Sequence, residues 1–386
     1  MSSNPQTTRH FDHDPVIQAP GRGGTWWRYM LLLGLLYVFL IAIRMLGKGI
    51  SGFGEGFTEG MLAGVENPFA GLAAGILFTV LVQSSSVTTA TIVALVGGGT
   101  LTVSAAVPMI MGANIGTTIT NTLVSIGHVR RSGEFRRAFA AATIHDFFNL
   151  IVVSIMLPLE VATGFLSKAA HSIANGIAIG GGATYKSPIK SAVKAGEGFL
   201  SDLMKNVGMV DNWLATGKLI LGLALIFFAL TTITRTMRVV IAHRAERALN
   251  NSLKKSAIFA ISMGALITMA VQSSSITTSL LVPMCGSGIL SLEAAFPVML
   301  GANIGTTITA FLASLATDQN GLEIALVHVI FNLIGTAGVF VIPAVRQIPI
   351  KLAHGMAERA VRQKLWVVAY VGMVFIVIPI LGILIF

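Results

Sequence analysis

Charge is scarce in this chain. Only 11% of its 386 residues are Asp, Glu, Lys or Arg, while 54% are hydrophobic. A soluble globular protein carries about 25% charged residues, so long stretches here find a fitting solvent only in lipid. Cysteine is nearly absent: Cys285, inside an apolar segment, is the only one, which excludes a disulfide framework within the chain. The first apolar run starts near Trp26, and the polar stretch before it lacks the hydrophobic core of a cleavable signal peptide. A soluble stretch that would gather basic charge is lacking too. The formal net charge is +10, but the basic residues sit in short gaps between apolar segments. There they set membrane orientation, whereas a nucleic-acid binder gathers them on a soluble fold.

What is present is length in apolar runs. A helix needs roughly 20 apolar residues to cross the hydrocarbon core, and such runs occur near 29–46, 101–127, 138–160, 213–234, 290–316, 321–344 and 365–386. Trp26, Trp27 and Tyr29 at the entrance of the first read as an interfacial aromatic belt. The 41 glycines fit close helix packing through small side chains. Two further apolar stretches, 68–98 and 256–287, are broken at their middles by Gln83-Ser84-Ser85-Ser86 and Gln272-Ser273-Ser274-Ser275. The fold class expected is an all-α polytopic membrane protein of two inverted-topology repeats, each with a re-entrant helical hairpin.

The repeat is direct. Residues 82–120 and 271–309 align without a gap at 23 identities in 39 positions, and Gly-Ala-Asn-Ile-Gly-Thr-Thr-Ile-Thr occurs whole at 112–120 and 301–309. Downstream, His145-Asp146-Phe147-Phe148-Asn149 answers His328-Val329-Ile330-Phe331-Asn332. Charge supplies orientation: the loop 128–137 holds four arginines and is expected inside, while its counterpart near Asp318 to Glu323 has no basic residue. The gap 47–67 carries three glutamates, and the matching gap after 213–234 carries Arg235, Arg238, Arg244, Arg247, Lys254 and Lys255. Equivalent loops on opposite sides mark an inverted repeat. The stretch 161–212, with five lysines against three acids, dissents, but the two short loops agree with each other. The expected divisions are a cytoplasmic tail 1–28, a first repeat 29–160, an extracytoplasmic linker 161–212, a second repeat 213–344, and a cytoplasmic amphipathic segment with a final span, 345–386.

Polar non-helical backbone at membrane depth is tolerated only inside protein or against a water-filled cavity. Two hairpin tips from inverted halves are therefore expected to meet near the midplane, where transporters of this design hold substrate. The short helices flanking each tip would aim N–H groups at an oxyanion. Gln83, Ser84, Ser85, Ser86, Gln272, Ser273, Ser274 and Ser275 offer donors and acceptors, and Asn114, Thr117, Thr118, Asn303, Thr306 and Thr307 add oxygens nearby. Sodium, a hard cation, suits oxygen ligands; the set expected to hold it is Gln83, Ser84, Asp146, Gln272, Ser273, Asn303 and Thr306. A single Ser/Thr tract is ordinarily packing glue between helices; duplication with glutamine at the same place favours a site. The glycines of the repeated runs read as packing residues, and His145 and His328 as satisfied structural histidines. Asp146 stands opposite Val329 in the repeat, and an acid inside a span is a functional candidate.

The paired Gln-Ser-Ser-Ser and Gly-Ala-Asn-Ile-Gly-Thr-Thr runs resemble the type II sodium-dependent phosphate cotransporter family. So does the stretch from Glu134-Phe135-Arg136-Arg137-Ala138-Phe139 to Asn149, and the likeness covers about residues 30–380. The resemblance implies sodium-driven phosphate uptake, no cofactor beyond the co-transported sodium ions, and both serine runs at the substrate and sodium sites. It also implies that an acid at Asp146 marks a member that moves net charge. The linker lacks the animal members' cysteine pair and glycosylation site, and one span follows the second repeat, so a bacterial inner-membrane protein is expected, with its N-terminus cytoplasmic and its C-terminus outside. Expected partners are phosphate, sodium and the lipid bilayer, without nucleic acid; the sequence leaves a homodimer open. A channel with re-entrant selectivity loops is the alternative. An intramembrane serine hydrolase would need a basic partner that the serine segments lack, so no enzymatic activity is expected.

Overall fold

A computed structural model describes residues 23–180, 188–252 and 256–386. The expected tail up to residue 22, and Lys254 and Lys255, lie outside the described residues, as do the side chains of Arg244 and Arg247. Helix is the only regular structure among the described residues. That follows from the solvent: within hydrocarbon a backbone must satisfy its own hydrogen bonds.

Helix α1 (Gly23–Ser51) is followed by a short α2 (Glu55–Ala63), and α2 meets α3 (Pro68–Val82) at a 98° bend. Asn67 starts α3: its side chain accepts from Phe69 N at 2.9 Å, with Pro68 supplying the fixed first-turn φ. The first interrupted stretch becomes α3 and α4 (Ser85–Gly97). The expected span 101–127 becomes α5 (Val103–Gly116) and α6 (Ile119–Ile126), parted at Thr117 and Thr118; α7 (Ser132–Thr163) then crosses whole. The linker is not a loop but two helices, α8 (Phe165–Gly180) and α9 (Pro188–Asn206).

The second half repeats the plan. Helix α10 (Asp211–Ser252) precedes the second interrupted stretch, α11 (Ala257–Val271) and α12 (Ser274–Gly286). Helix α13 (Leu292–Ser314) answers α5 and α6 without a break, and α14 (Gln319–Val341) answers α7. The amphipathic α15 (Pro343–Arg362) and a last span close the chain. That span is α16 (Leu365–Gly372), a π-helical turn at Met373–Val377 and α17 (Ile378–Ile385). Seven helices or helix runs among the described residues are long and apolar enough to cross a membrane, or eight if the bent pair forms one span.

Packing is duplicated as closely as sequence. A Cβ on Gly75 would strike the Met109 carbonyl, and one on Gly264 the Val298 carbonyl. Gly112 and Gly301 likewise press against the carbonyls of Leu72 and Ile261, and Gly116 and Gly305 against Thr79 and Thr268. In each half, therefore, the hairpin's first helix meets the next long helix backbone to backbone, the close approach that small residues four apart allow. Lipid is as apolar as leucine, so contact of this kind, rather than hydrophobic exclusion, holds such helices together.

Arg137, expected as an orientation signal in a loop, instead lies one turn into α7. Its Nε donates to the Gly286 carbonyl at 2.9 Å and the Cys285 carbonyl at 3.3 Å, closing the C-terminal end of α12. Two cavities gather the ends of the helices. One is lined by Arg44 and Lys48 of α1, Gly98, Lys190 and Asp318. The other takes Arg136 and Arg137 with Cys285, Glu293 and His354. Beside the first, burial alone would raise the pKa of Glu197. The Ser201 hydroxyl at 2.7 Å and Lys218 Nζ at 3.0 Å outweigh burial and hold it below the ordinary carboxylate range.

Candidate functional site

Both interrupted stretches turn back on themselves. Thr79 Oγ1 donates to Thr88 Oγ1 at 2.9 Å, and Thr268 Oγ1 to Thr277 Oγ1 at 2.8 Å. In one continuous helix, residues nine apart would be separated by about 13 Å along the axis. At each reversal a glutamine takes the left-handed conformation, φ 56° at Gln83 and 59° at Gln272. That conformation costs a side-chain-bearing residue roughly 1–2 kcal/mol. The amide offsets it: Gln83 Nε2 donates to the Val80 carbonyl at 2.5 Å, and Gln272 Nε2 to the Met269 carbonyl at 2.7 Å, capping the first helix. Ser84 and Ser273 then cap the second, accepting from Val87 N at 3.3 Å and Ile276 N at 3.4 Å. The first two residues of each run thus build the turn with the same groups expected to hold ions, keeping acceptor oxygens to spare.

The next two residues are different. Ser85 and Ser274 are buried, 6% and 3% exposed, and neither hydroxyl makes a hydrogen bond among the described residues. They open α4 and α12, whose first N–H groups lack intrahelical acceptors. One expectation is corrected here. Only α4 and α12 point N-termini at the tips; α3 and α11 run toward them and present carbonyl ends, because a hairpin reverses chain direction. Each tip therefore offers anion donors and cation acceptors side by side.

The tips touch. Ser86 Oγ donates to the Gln272 carbonyl at 3.0 Å, and Thr309 Oγ1 donates to Gln272 Oε1 at 3.0 Å and lies 3.4 Å from Ser86 Oγ. Thr120 makes the matching contact in the first half, to Gln83 Oε1 at 3.4 Å. Ser275 makes no such cross-half bond among the described residues, so the copies are unequal. Asn121 Oδ1, without a repeat counterpart, accepts from Thr278 at 2.9 Å and Ser279 at 3.2 Å on the opposite hairpin.

A second cluster joins the halves through α7. Asn303 Nδ2 donates to Asn149 Oδ1 at 2.7 Å, and Asn149 Nδ2 donates to the Asn114 carbonyl at 2.9 Å. Asn303 Oδ1 lies 2.6 Å from His145 Nε2. The carbonyl oxygen can only accept, so His145 carries its proton on Nε2. The counterparts are open: both nitrogens of His328 and Oδ1 of Asn332 are buried without a partner. The expectation of satisfied histidines is met at one nitrogen of His145, whose Nδ1 is buried without a partner, and at neither nitrogen of His328. Asn114 donates to its own Ile110 carbonyl at 2.9 Å and makes no bond to His328. Thr117, Thr118, Thr306 and Thr307 also donate back to their own helices and retain lone pairs.

Asp146 is wholly buried and has a protein partner. Tyr370 Oη of α16 donates to its Oδ2 at 2.8 Å, and the Thr118 side chain stands beside the same carboxylate. Sequence reasoning missed Tyr370, Thr120, Thr309 and Asn121. Thr120 and Thr309 end the duplicated nine-residue run and were legible in it; Tyr370 and Asn121 have no repeat counterpart to mark them.

The model of the Na+/Pi-cotransporter family matches residues 38–182 and 225–381, which takes in both hairpins, both clusters and Tyr370. The chain belongs to this family. Sodium-dependent phosphate transport protein 2A of Ovis aries is 32% identical over 441 residues, covering 94% of this chain and 68% of that protein. Protein 2B of Homo sapiens is 33% identical over 445 residues, covering 91% and 64%. The chain thus spans about two thirds of the length of these relatives. No solved structure matches it. Family membership and the apolar helices make it a multi-pass membrane transport protein.

Proposed function

We propose that the chain is a secondary active transporter that couples inward sodium movement to uptake of inorganic phosphate across the plasma membrane, in a bacterial inner membrane. The observation that carries this is the pair Ser85 and Ser274: equivalent, buried, unpartnered, and each opening a helix at the meeting of two hairpin tips. Phosphate takes the free hydroxyl and N–H donors of these two turns. Sodium takes the oxygens the turns leave over, from Gln83, Ser84, Gln272, Ser273, Asn303 and Thr306, together with the Asp146 carboxylate. The relatives are named as sodium-dependent phosphate transport proteins, which supports the same pair of substrates. The grouping of α1's end with Asp318 around one cavity, and of Arg136 and Arg137 with α12's end around the other, supports two inverted repeats. On this reading, residues 161–212 lie outside and 345–364 inside, and the N-terminus is cytoplasmic.

Purified protein in liposomes is expected to accumulate labelled phosphate only when sodium is higher outside. A tenfold sodium gradient supplies about 1.4 kcal/mol per ion, and an inside-negative potential adds about 2.3 kcal/mol per net charge per 100 mV. Arsenate competes, and sulfate less so. Equal uptake from sodium and choline media rejects the reading.

A further inference from the structure

Tyr370 stands outside the duplicated architecture yet reaches its most buried acid. It is the last span's one polar side chain with a partner inside the bundle: Oη lies 2.8 Å from Asp146 Oδ2, while Oδ1 makes no hydrogen bond. Its ring packs on Phe147 of α7 at 6.0 Å and on Phe375 at 6.3 Å between centroids. Three residues beyond it the helix widens into the π-helical turn Met373–Val377, a form that recurs at functional sites because it shifts the helix face without ending it. The span as a whole is held lightly: only 17% of its most apolar window is buried, against 72% for α7. Val329 replaces the acid in the second copy, so nothing in the shared plan demands this pair.

We propose that Tyr370 sets sodium affinity by holding the Asp146 carboxylate in the sodium-free state and giving up that hydrogen bond when sodium arrives. A buried carboxylate with no cation needs a donor, and the Tyr370 hydroxyl is one that the last helix can withdraw while both repeats stay in place. Sodium, which takes only acceptors, has no use for a donor pointed at its ligand. The hydroxyl therefore competes with the ion for Oδ2. Withdrawing it turns the last span slightly against α7, with the wide turn absorbing the change. The inference rests on the reading of Asp146 as a sodium ligand.

The test compares Tyr370→Phe with wild type and with Tyr37→Phe, whose hydroxyl serves only the Ala192 carbonyl in the linker. Phenylalanine keeps the ring packing and removes the competitor. The sodium concentration for half-maximal phosphate uptake is expected to fall about fivefold or more, with the phosphate requirement at saturating sodium unchanged. Sodium should also raise the melting temperature of the purified Tyr370→Phe protein at correspondingly lower concentration, a readout independent of transport. Tyr370→Met, which fills the volume without a ring, should shift sodium affinity in the same direction. Unchanged or weakened sodium affinity in both variants overturns the proposal. Asp146→Asn is the separate check: if it leaves the sodium dependence of uptake and of melting intact, the assignment of Asp146 itself is wrong, whatever the Tyr370 variants do.

Discussion

Four serines in two identical positions divide into two chemical roles once their hydrogen bonds are known. Ser84 and Ser273 spend their oxygens on helix caps, and losing such a cap costs about 1 kcal/mol of stability. Ser85 and Ser274 spend theirs on nothing within the protein, although both are buried. Neither oxygen is sealed off, so each hydroxyl is free to meet what the site binds. Ser84→Ala is therefore expected to lower the melting temperature and to raise the sodium requirement, while half-saturation for phosphate at saturating sodium stays near wild type. Ser85→Ala and Ser274→Ala should melt normally but lose about 1.5–3 kcal/mol of a charged hydrogen bond, roughly tenfold or more in apparent affinity. Uptake measured at low phosphate separates the two; wild-type affinity in either second-position variant makes that serine a packing residue.

Between elements, the same glycines do the same work twice. On α5 and α13, Gly112 and Gly301 face a backbone carbonyl of the hairpin's first helix, and a Cβ there meets an atom that cannot rotate away. Overpacking against backbone costs about 1–3 kcal/mol or more, and here it also pushes the hairpin off the helix that carries Asn114 or Asn303. Gly112→Ala and Gly301→Ala are expected to lower melting temperature in detergent and to reduce uptake together. Gly338→Ala on α14 meets open space and should leave both intact, with a small gain from helix propensity. If Gly301→Ala melts like Gly338→Ala, the close crossing of α11 and α13 is not what holds that hairpin.

At the level of the whole molecule, orientation is the property on which transport depends, and charge carries it. Arg130, in the loop before α7, and Asn320, in the first turn of α14, lie exposed at equivalent places in the two copies. In an inverted pair they face opposite sides. With Cys285 buried and unreactive in both, Asn320→Cys should label from outside intact cells with a membrane-impermeant maleimide, and Arg130→Cys only after permeabilisation. Labelling of both from the same side rejects the inverted arrangement. Sequence alone determined the spans, the two interruptions and the duplication, because hydrophobic length and repeated runs are local and survive in a string of letters. It also marked Asn303, Asp146 and both serine runs as worth attention. Only the tertiary structure decided which serine of each run stays free. The same holds for Tyr370 reaching Asp146 across 224 positions, and for His145 finding Asn303 while its twin His328 finds nothing. Those choices follow from how α7 and the last span pack in a single arrangement of two near-identical halves. A helical period records which face is apolar, but not which distant neighbour will fill the hydrogen bond on the other.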